Sequence, residues 1–129
     1  MGGSTVLRES ANDVATVVGA GITLFEALKA HDLLAKDGIA IRVVDAYSIQ
    51  PIDAATMRRC ATDTGRLITV EDHYAVGGLG DAVARAVAEV GAVVTRMCVH
   101  EIPRSGTPEE LVDYYGLSAA KIAEAVRAK

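Results

Sequence analysis

Glu71, Asp72 and His73 stand side by side, followed by Tyr74 and, after Ala75-Val76, by the glycine-rich stretch Gly77-Gly78-Leu79-Gly80. An acid, an acid and an imidazole in succession can bind a metal, move a proton, or form a salt link to another chain. The same residues can also serve as a hydrogen-bonded loop that fixes a strand end. The apolar run before them, ending Leu67-Ile68-Thr69-Val70, has β character. In an α/β protein the run therefore sits at the carboxyl end of a strand, where such folds place ligand and partner sites. Successive side chains on a strand point to opposite faces. The three groups cannot all ligate one ion without a bent backbone, so no metal site is expected. The glycines bare backbone N–H groups where a helix begins, which suits an anion or a close backbone contact.

A second set follows the last apolar strand. His100-Glu101-Ile102-Pro103 leads to Arg104-Ser105-Gly106, which can hold a carboxylate or phosphate or can simply seat the next helix. Gly19-Ala20-Gly21 after a β-branched run matches half of a dinucleotide fingerprint. The third glycine would fall at Leu24, so a tight strand-to-helix turn is the plainer reading. Asp45 ends the following strand, as a ribose-binding acid or as a turn former. His31 reads as a satisfied boundary residue on the first helix, and Tyr114-Tyr115 as a packing pair at a helix end. No nucleophile elbow, P-loop, HExxH helix or EF-hand is present.

The elements that must carry these groups alternate in type. Strands are expected over 5–9, 14–18, 39–45, 66–70 and 93–99. Helices are expected over 23–36, from an Asp53 N-cap to 64, from 79 onward, from a Thr107-Pro108-Glu109-Glu110 capping box to about 115, and after Ser118. The helix from 79 has the clearest pattern, with Leu79, Ala82, Val83, Ala86, Val87 and Val90 on one stripe. The last helix carries Ile122, Ala123 and Val126. Such alternation predicts an α/β fold in three layers, helices on both faces of a five-stranded, mostly parallel sheet. The short turn Ser10-Ala11-Asn12-Asp13 lacks a crossover helix. It makes the first two strands either antiparallel neighbours or strands separated in the sheet.

The chain has 129 residues, 50% of them hydrophobic and 23% charged, with a formal net charge of −4. That profile predicts one globular domain over 1–129. Scattered Lys and Arg argue against a nucleic-acid footprint and against a membrane-surface stripe. No apolar run approaches the roughly 20 residues of a bilayer span. Met1-Gly2-Gly3-Ser4 lacks the plan of a signal peptide and is consistent with a tag remnant. Cys60 and Cys98 stand in apolar patterns without a CxxC, as buried free thiols in a reducing compartment. A cytoplasmic location is expected.

Taken in order, several motifs resemble the C-terminal domain of transketolase, of the animal-like type. They are Val18-Gly19-Ala20-Gly21-Ile22-Thr23-Leu24, Arg42-Val43-Val44-Asp45, Ser48-Ile49-Gln50-Pro51-Ile52-Asp53, Val70-Glu71-Asp72-His73-Tyr74 with Gly77-Gly78-Leu79-Gly80, and Pro103-Arg104-Ser105-Gly106. The likeness runs from about Val6 to Arg127. It implies a five-stranded mixed sheet with one antiparallel edge strand. It also implies membership of an enzyme that moves a two-carbon ketol unit between sugar phosphates of the pentose phosphate pathway, using thiamine diphosphate and magnesium. In that family this domain serves assembly and dimer contacts, and the preceding domains hold the cofactor through a Gly-Asp-Gly signature with a downstream asparagine. Gly-Asp-Gly is absent from this chain, and Asn12 is its only asparagine. The expectation is a chain that binds no cofactor and is not catalytic alone, either a separate C-terminal subunit or an excised fragment. Its partners would be the N-terminal transketolase domains, and its working surface the loops 71–80 and 102–107.

Two other readings compete. One is a small regulatory domain binding a nucleotide or other anion between the Gly19 turn and the Glu71 loop, although the acids there oppose anions. The other is an independent metal-dependent phosphatase or receiver-like domain using Asp45, Glu71 and Asp72. It lacks the lysine such a domain would place where His100 stands.

Overall fold

Paired β-branched residues with one side chain for each face need cover on both sides, and Val17-Val18 and Val43-Val44 receive it. The computed structural model describes residues 5–20, 22–46, 53–71, 79–98 and 119–128. They form β1 (Thr5–Arg8), β2 (Thr16–Gly19), α1 (Ile22–Lys36), β3 (Arg42–Asp45), α2 (Ala54–Thr64), β4 (Arg66–Glu71), α3 (Leu79–Ala86), β5 (Val93–Cys98) and α4 (Ala119–Arg127). The strands make one five-stranded sheet in the order β1-β3-β2-β4-β5. β1 runs antiparallel to β3, and every other pairing is parallel. The expected α/β architecture is therefore present, antiparallel edge strand included.

The turn between β1 and β2 left two arrangements open, and separation is the one observed. β2 is flanked by parallel partners on both sides, β3 and β4. Both of its edges are thus occupied by strands that return through crossover helices, and β1 pairs on the outer edge of β3.

Each face of the sheet packs a distinct core. On one side Val17, Val43, Ile68 and Val70 meet Ala27, Ala30 and Leu34 of α1 and Ile122, Ala123 and Val126 of α4. On the other side Val18, Val44 and Leu67 meet Met57, Cys60 and Ala61 of α2 and Leu79 and Val83 of α3. Ile122, Ala123 and Val126 are the residues the sequence pattern assigns to the core stripe of α4.

Helix boundaries follow local chemistry. Asp53 caps α2 as expected: its carboxylate accepts from the Thr56 N–H at 3.2 Å and from the Thr56 hydroxyl at 2.8 Å. Gly65, at φ 72° in the left-handed region, closes α2 and is the single residue between it and β4. β3 is shorter than 39–45, because the end of α1 claims its first residue: the Ile39 N–H donates to the Leu34 carbonyl at 3.0 Å. β2 begins at Thr16, not at 14. The α3 stripe also overshoots. Leu79, Val83 and Val87 are buried, but Val90 is 37% exposed. The last regular bond is Val87 N–H to Val83 O at 3.1 Å. The chain then tightens to Val90 N–H on Val87 O at 3.0 Å before Gly91 turns it at φ 82°. The expected helix at 107–115 and the Ser118 cap lie outside the described residues.

Arginines from neighbouring elements satisfy two helix ends that would otherwise leave carbonyls unpaired. Arg58 Nε donates to Ala86 O of α3 at 3.0 Å. Arg66 donates to Val126 O at 2.8 Å and to Ala125 O at 2.5 Å, at the end of α4. At its start α4 receives Glu26 Oε1, which accepts from the Ala119 N–H at 3.1 Å.

Thr69 is the one fully buried side chain among the described residues whose polar atom has no hydrogen-bond partner. Leaving a buried hydroxyl unsatisfied costs about 1–3 kcal/mol. Thr69→Val keeps the shape and removes the cost, so the urea midpoint should rise, equivalent to about 1 kcal/mol or more, with an unchanged slope. A lowered midpoint would mean that the hydroxyl is solvated or bonded in solution.

Candidate functional site

Strand register places the candidate residues at one end of the sheet. Thr5, Asp45 and Gly19 share a transverse row, since Thr5 pairs with Asp45 and Asp45 with Gly19. On the other side of β2, Val18 pairs with Thr69, two residues before Glu71 closes β4 opposite Cys98. Gly80 lies buried in the first turn of α3. Gly19, Asp45, Glu71 and Gly80 thus come from four elements that meet at the carboxyl edge. Asp72, His73, Tyr74, Gly77, Gly78, Arg104, Ser105 and Gly106 lie outside the described residues, as do His100 and the Tyr114-Tyr115 pair.

Chain direction across the sheet reverses at β2, whose two parallel neighbours are reached over opposite faces. The crevice between the carboxyl ends of β2 and β4 is therefore the topological switch point. In this protein it is stitched internally. Thr23 Oγ1 lies 2.9 Å from the carbonyl oxygens of both Val70 and Ala20, to either of which it can donate, and it accepts from the Ala20 N–H at 3.0 Å. The Gly19 carbonyl accepts from the Ala46 N–H at 3.0 Å. A Cβ at Gly19 would stand 3.1–3.2 Å from Thr23 Oγ1, Thr23 C and Leu24 N. A side chain there would press Thr23 and the α1 backbone back by a few tenths of an ångström, so the close approach of strand and helix favours glycine. These bonds make Gly19-Ala20 a packed turn and engage the backbone donor that a phosphate would need.

The other edge of the sheet holds a cluster that local sequence patterns do not reveal. The Arg42 side chain, 4% exposed, is ringed by carboxylates. Its Nε lies 3.2 Å from Asp13 Oδ2, Nη1 lies 2.9 Å from Asp63 Oδ2, and Nη2 lies 3.5 Å from Glu9 Oε2. Arg59 Nη1 shares that Glu9 oxygen at 2.5 Å. Burial opposes the Arg42 charge, but hydrogen bonds to Asp63, Cys60 and Asp13 outweigh it and push its pKa further up. Burial likewise raises the Cys60 thiol, only partly offset by Arg42. Cys60 is accordingly a buried, protonated thiol, as its apolar setting implies. The cluster ties the chain after β1, the turn before β2, the start of β3 and the end of α2 into one unit. The signal that could have found it is an arginine directly before the apolar pair Val43-Val44 of a covered strand.

Near the cluster, an apolar groove of about 340 Å³ is lined by Val14, Thr64, Gly65, Arg66, Val93 and Val126. The Arg66 guanidinium is already engaged by the α4 carbonyls, so the groove offers little directed chemistry. His31 is a boundary residue as expected, its Nδ1 3.2 Å from Asp32 Oδ1. Among the described residues no group of three or more His, Cys, Asp or Glu side chains is arranged to hold a metal ion, and no helix is long and apolar enough to cross a membrane.

The Gly-Asp-Gly signature is missing from the sequence. Asn12, the one asparagine, stands exposed in the β1–β2 turn with its N–H on Ser10 Oγ, at the amino edge.

Four parallel strands with one antiparallel edge strand and helices on both faces define a three-layer, doubly wound α/β domain. The family model "Transketolase, C-terminal domain" matches residues 3–122, and the chain belongs to that family. It is 50% identical over 129 residues to transketolase-like protein 2 of Mus musculus and 46% identical over 129 residues to transketolase of Rattus norvegicus. Each alignment takes in 98% of this chain and 21% of the relative, so the chain spans about a fifth of the length of these proteins. Among solved structures, a split-gene transketolase described as an inactive beta4 tetramer superposes with a TM-score of 0.85 at 39% identity, over 96% of this chain and 41% of that one. Transketolase of Campylobacter jejuni superposes with a TM-score of 0.71 at 20% identity, over 99% of this chain and 19% of that one, and shares the fold.

Proposed function

We propose that this domain is the assembly module of a transketolase-type enzyme, one that transfers a two-carbon ketol unit between sugar phosphates with thiamine diphosphate and magnesium held elsewhere. It docks through its carboxyl edge against the domains that hold the cofactor and is not catalytic alone. The observation that carries this reading is the direction of β1. Because β1 is antiparallel, its first residue lies at the carboxyl edge beside Asp45. Chain arriving from a preceding domain reaches this domain at the edge that bears Gly19, Glu71 and Gly80. The opposite edge is occupied by the Arg42 cluster.

On this reading the loops 71–80 and 102–107 face the cofactor-bearing domains or a twofold mate. Glu71, Asp72 and His73 act there as interface groups, and Arg104 and Ser105 bind a carboxylate or backbone of the partner. The tetramer of the split-gene relative supports an oligomeric setting. No specific observation favours the anion-binding alternative, and the Ala20 N–H is already taken up by Thr23 Oγ1.

The test has two arms. Thermal unfolding of the 129-residue chain should be unmoved by thiamine diphosphate with magnesium. A ligand at 100 times its Kd would stabilise the native state by about 2.7 kcal/mol, so an upward shift would overturn the reading. In a chimera, this chain replaces the matched segment of rat transketolase. The chimera should form the parent's oligomer and convert xylulose 5-phosphate with ribose 5-phosphate. A folded chimera unable to assemble would count equally against it.

A further inference from the structure

We infer that Phe25, on the outer face of the first turn of α1, is the aromatic anchor that seats this domain on the transketolase domains preceding it in its relatives. The inference rests on the assembly reading above and assigns to it a residue that the charged loops do not include.

Phe25 is the only phenylalanine of a chain that has no tryptophan, and it is 64% exposed, more than any other large apolar side chain among the described residues. The rest of its stripe on α1 is polar: Lys29, Asp32 and Lys36 follow at positions 4, 7 and 11 residues on. A single exposed apolar side chain needs no explanation in general. Position distinguishes this one. Thr23, two residues earlier and on the inner side of the same turn, is bonded to the Val70 carbonyl at the carboxyl edge. Phe25 therefore stands at the rim of that edge. The other strongly exposed apolar residues, Val14 and Val93, lie at the opposite edge, before β2 and at the start of β5.

The occupant follows from where the chain arrives. Thr5, Asp45 and Gly19 form one row across β1, β3 and β2. Thr5 is thus two strand spacings, about 10 Å, from the residue that leads into α1. The relatives extend this domain by about four fifths of their length, and the family is by description a C-terminal one. The bulk that precedes Thr5 in such proteins enters at the edge on whose rim Phe25 stands. A benzyl ring on a polar helix face suits a partner pocket that is apolar within and polar at its rim, the usual setting of an interface hot spot.

The test uses the 129-residue chain and, as probe, the part of rat transketolase that precedes the matched segment. Calorimetric titration should show binding, weakened tenfold or more by Phe25→Ser (about 1.4 kcal/mol at the tenfold limit), with the melting temperature of the variant unchanged. Val93→Ser should leave affinity unaltered. Phe25→Trp gives the chain its sole tryptophan. Labelled with 5-fluorotryptophan, it should bind the probe and show a ¹⁹F shift on titration. Wild-type chain that fails to bind would sink the assembly reading itself. Binding that is indifferent to Phe25→Ser, or a Phe25→Ser effect confined to self-association, would overturn the anchor assignment alone.

Discussion

Arg42→Met is expected to cost the fold about 3–5 kcal/mol, the range for removing one partner from a buried charge cluster. The figure is large because of what stays behind. Asp13, with a side chain only 1% exposed, would lose the guanidinium and keep only the hydrogen bonds donated by the Ser10 N–H and hydroxyl. Glu9 would retain Arg59, and Asp63 is partly solvated, so those two carboxylates suffer less. The loss should therefore be concentrated on the Arg42–Asp13 pair. A double-mutant cycle with Asp13→Asn checks this. The double variant should be more stable than the sum of the single losses implies, by about 0.5–3 kcal/mol. Independent, additive losses would mean that the cluster is solvated in solution and that the amino edge is held by packing alone.

Ile122→Ala is the second large effect, expected at about 2–5 kcal/mol. Ile122 is fully buried on α4 in the core shared with α1, Val17, Val43, Ile68 and Val70. α4 is short, nine residues, and a helix of that length has little stability of its own. Its place depends on four buried side chains and on its polar clamps: Glu26 at its start, Arg66 at its last carbonyls, and Arg127 on Asp37. The clamps remain when Ile122 is truncated, so α4 should loosen before the sheet does. Native-state hydrogen exchange should show the α4 amides opening at lower free energy than those of β2 and β4. Uniform loss of protection across sheet and helix would show instead that α4 unfolds only with the whole domain.

The parts of the fold that were legible in the sequence are those set by local pattern. Val17-Val18 and Val43-Val44 mark strands covered on both faces, Asp53 marks a helix start, and Ile122, Ala123 and Val126 mark a buried stripe. What escaped depends on contacts between distant positions. Glu9, Asp13, Arg42 and Asp63 are separated by up to 54 residues, and nothing local ties them together. The partner of β1 was left open because a short turn restricts only nearby pairing, whereas β3 is chosen by the crossovers that fill both sides of β2. The apolar pattern through Val90 was real, but a stripe cannot register the left-handed turn at Gly91 that ends the helix before it. Of the candidate residues, Glu71 closes β4, one residue beyond the expected strand, and Gly80 lies buried in the first turn of α3. Most of its charged residues lie outside the described region, and their role stands as proposed.

The first strand and the last helix leave the domain on opposite sides. Thr5 sits level with Asp45, whereas Val126 lines the groove beside Gly65 and Val93. The six-residue β4 between these levels spans about 20 Å. A fluorophore, affinity handle or sensor-chip tether attached beyond α4 would hang from the far side and leave the carboxyl edge, the proposed docking rim, open to solution. The same attachment ahead of Thr5 would crowd the rim. Surface-immobilised measurements on this domain should therefore be made from its carboxyl terminus.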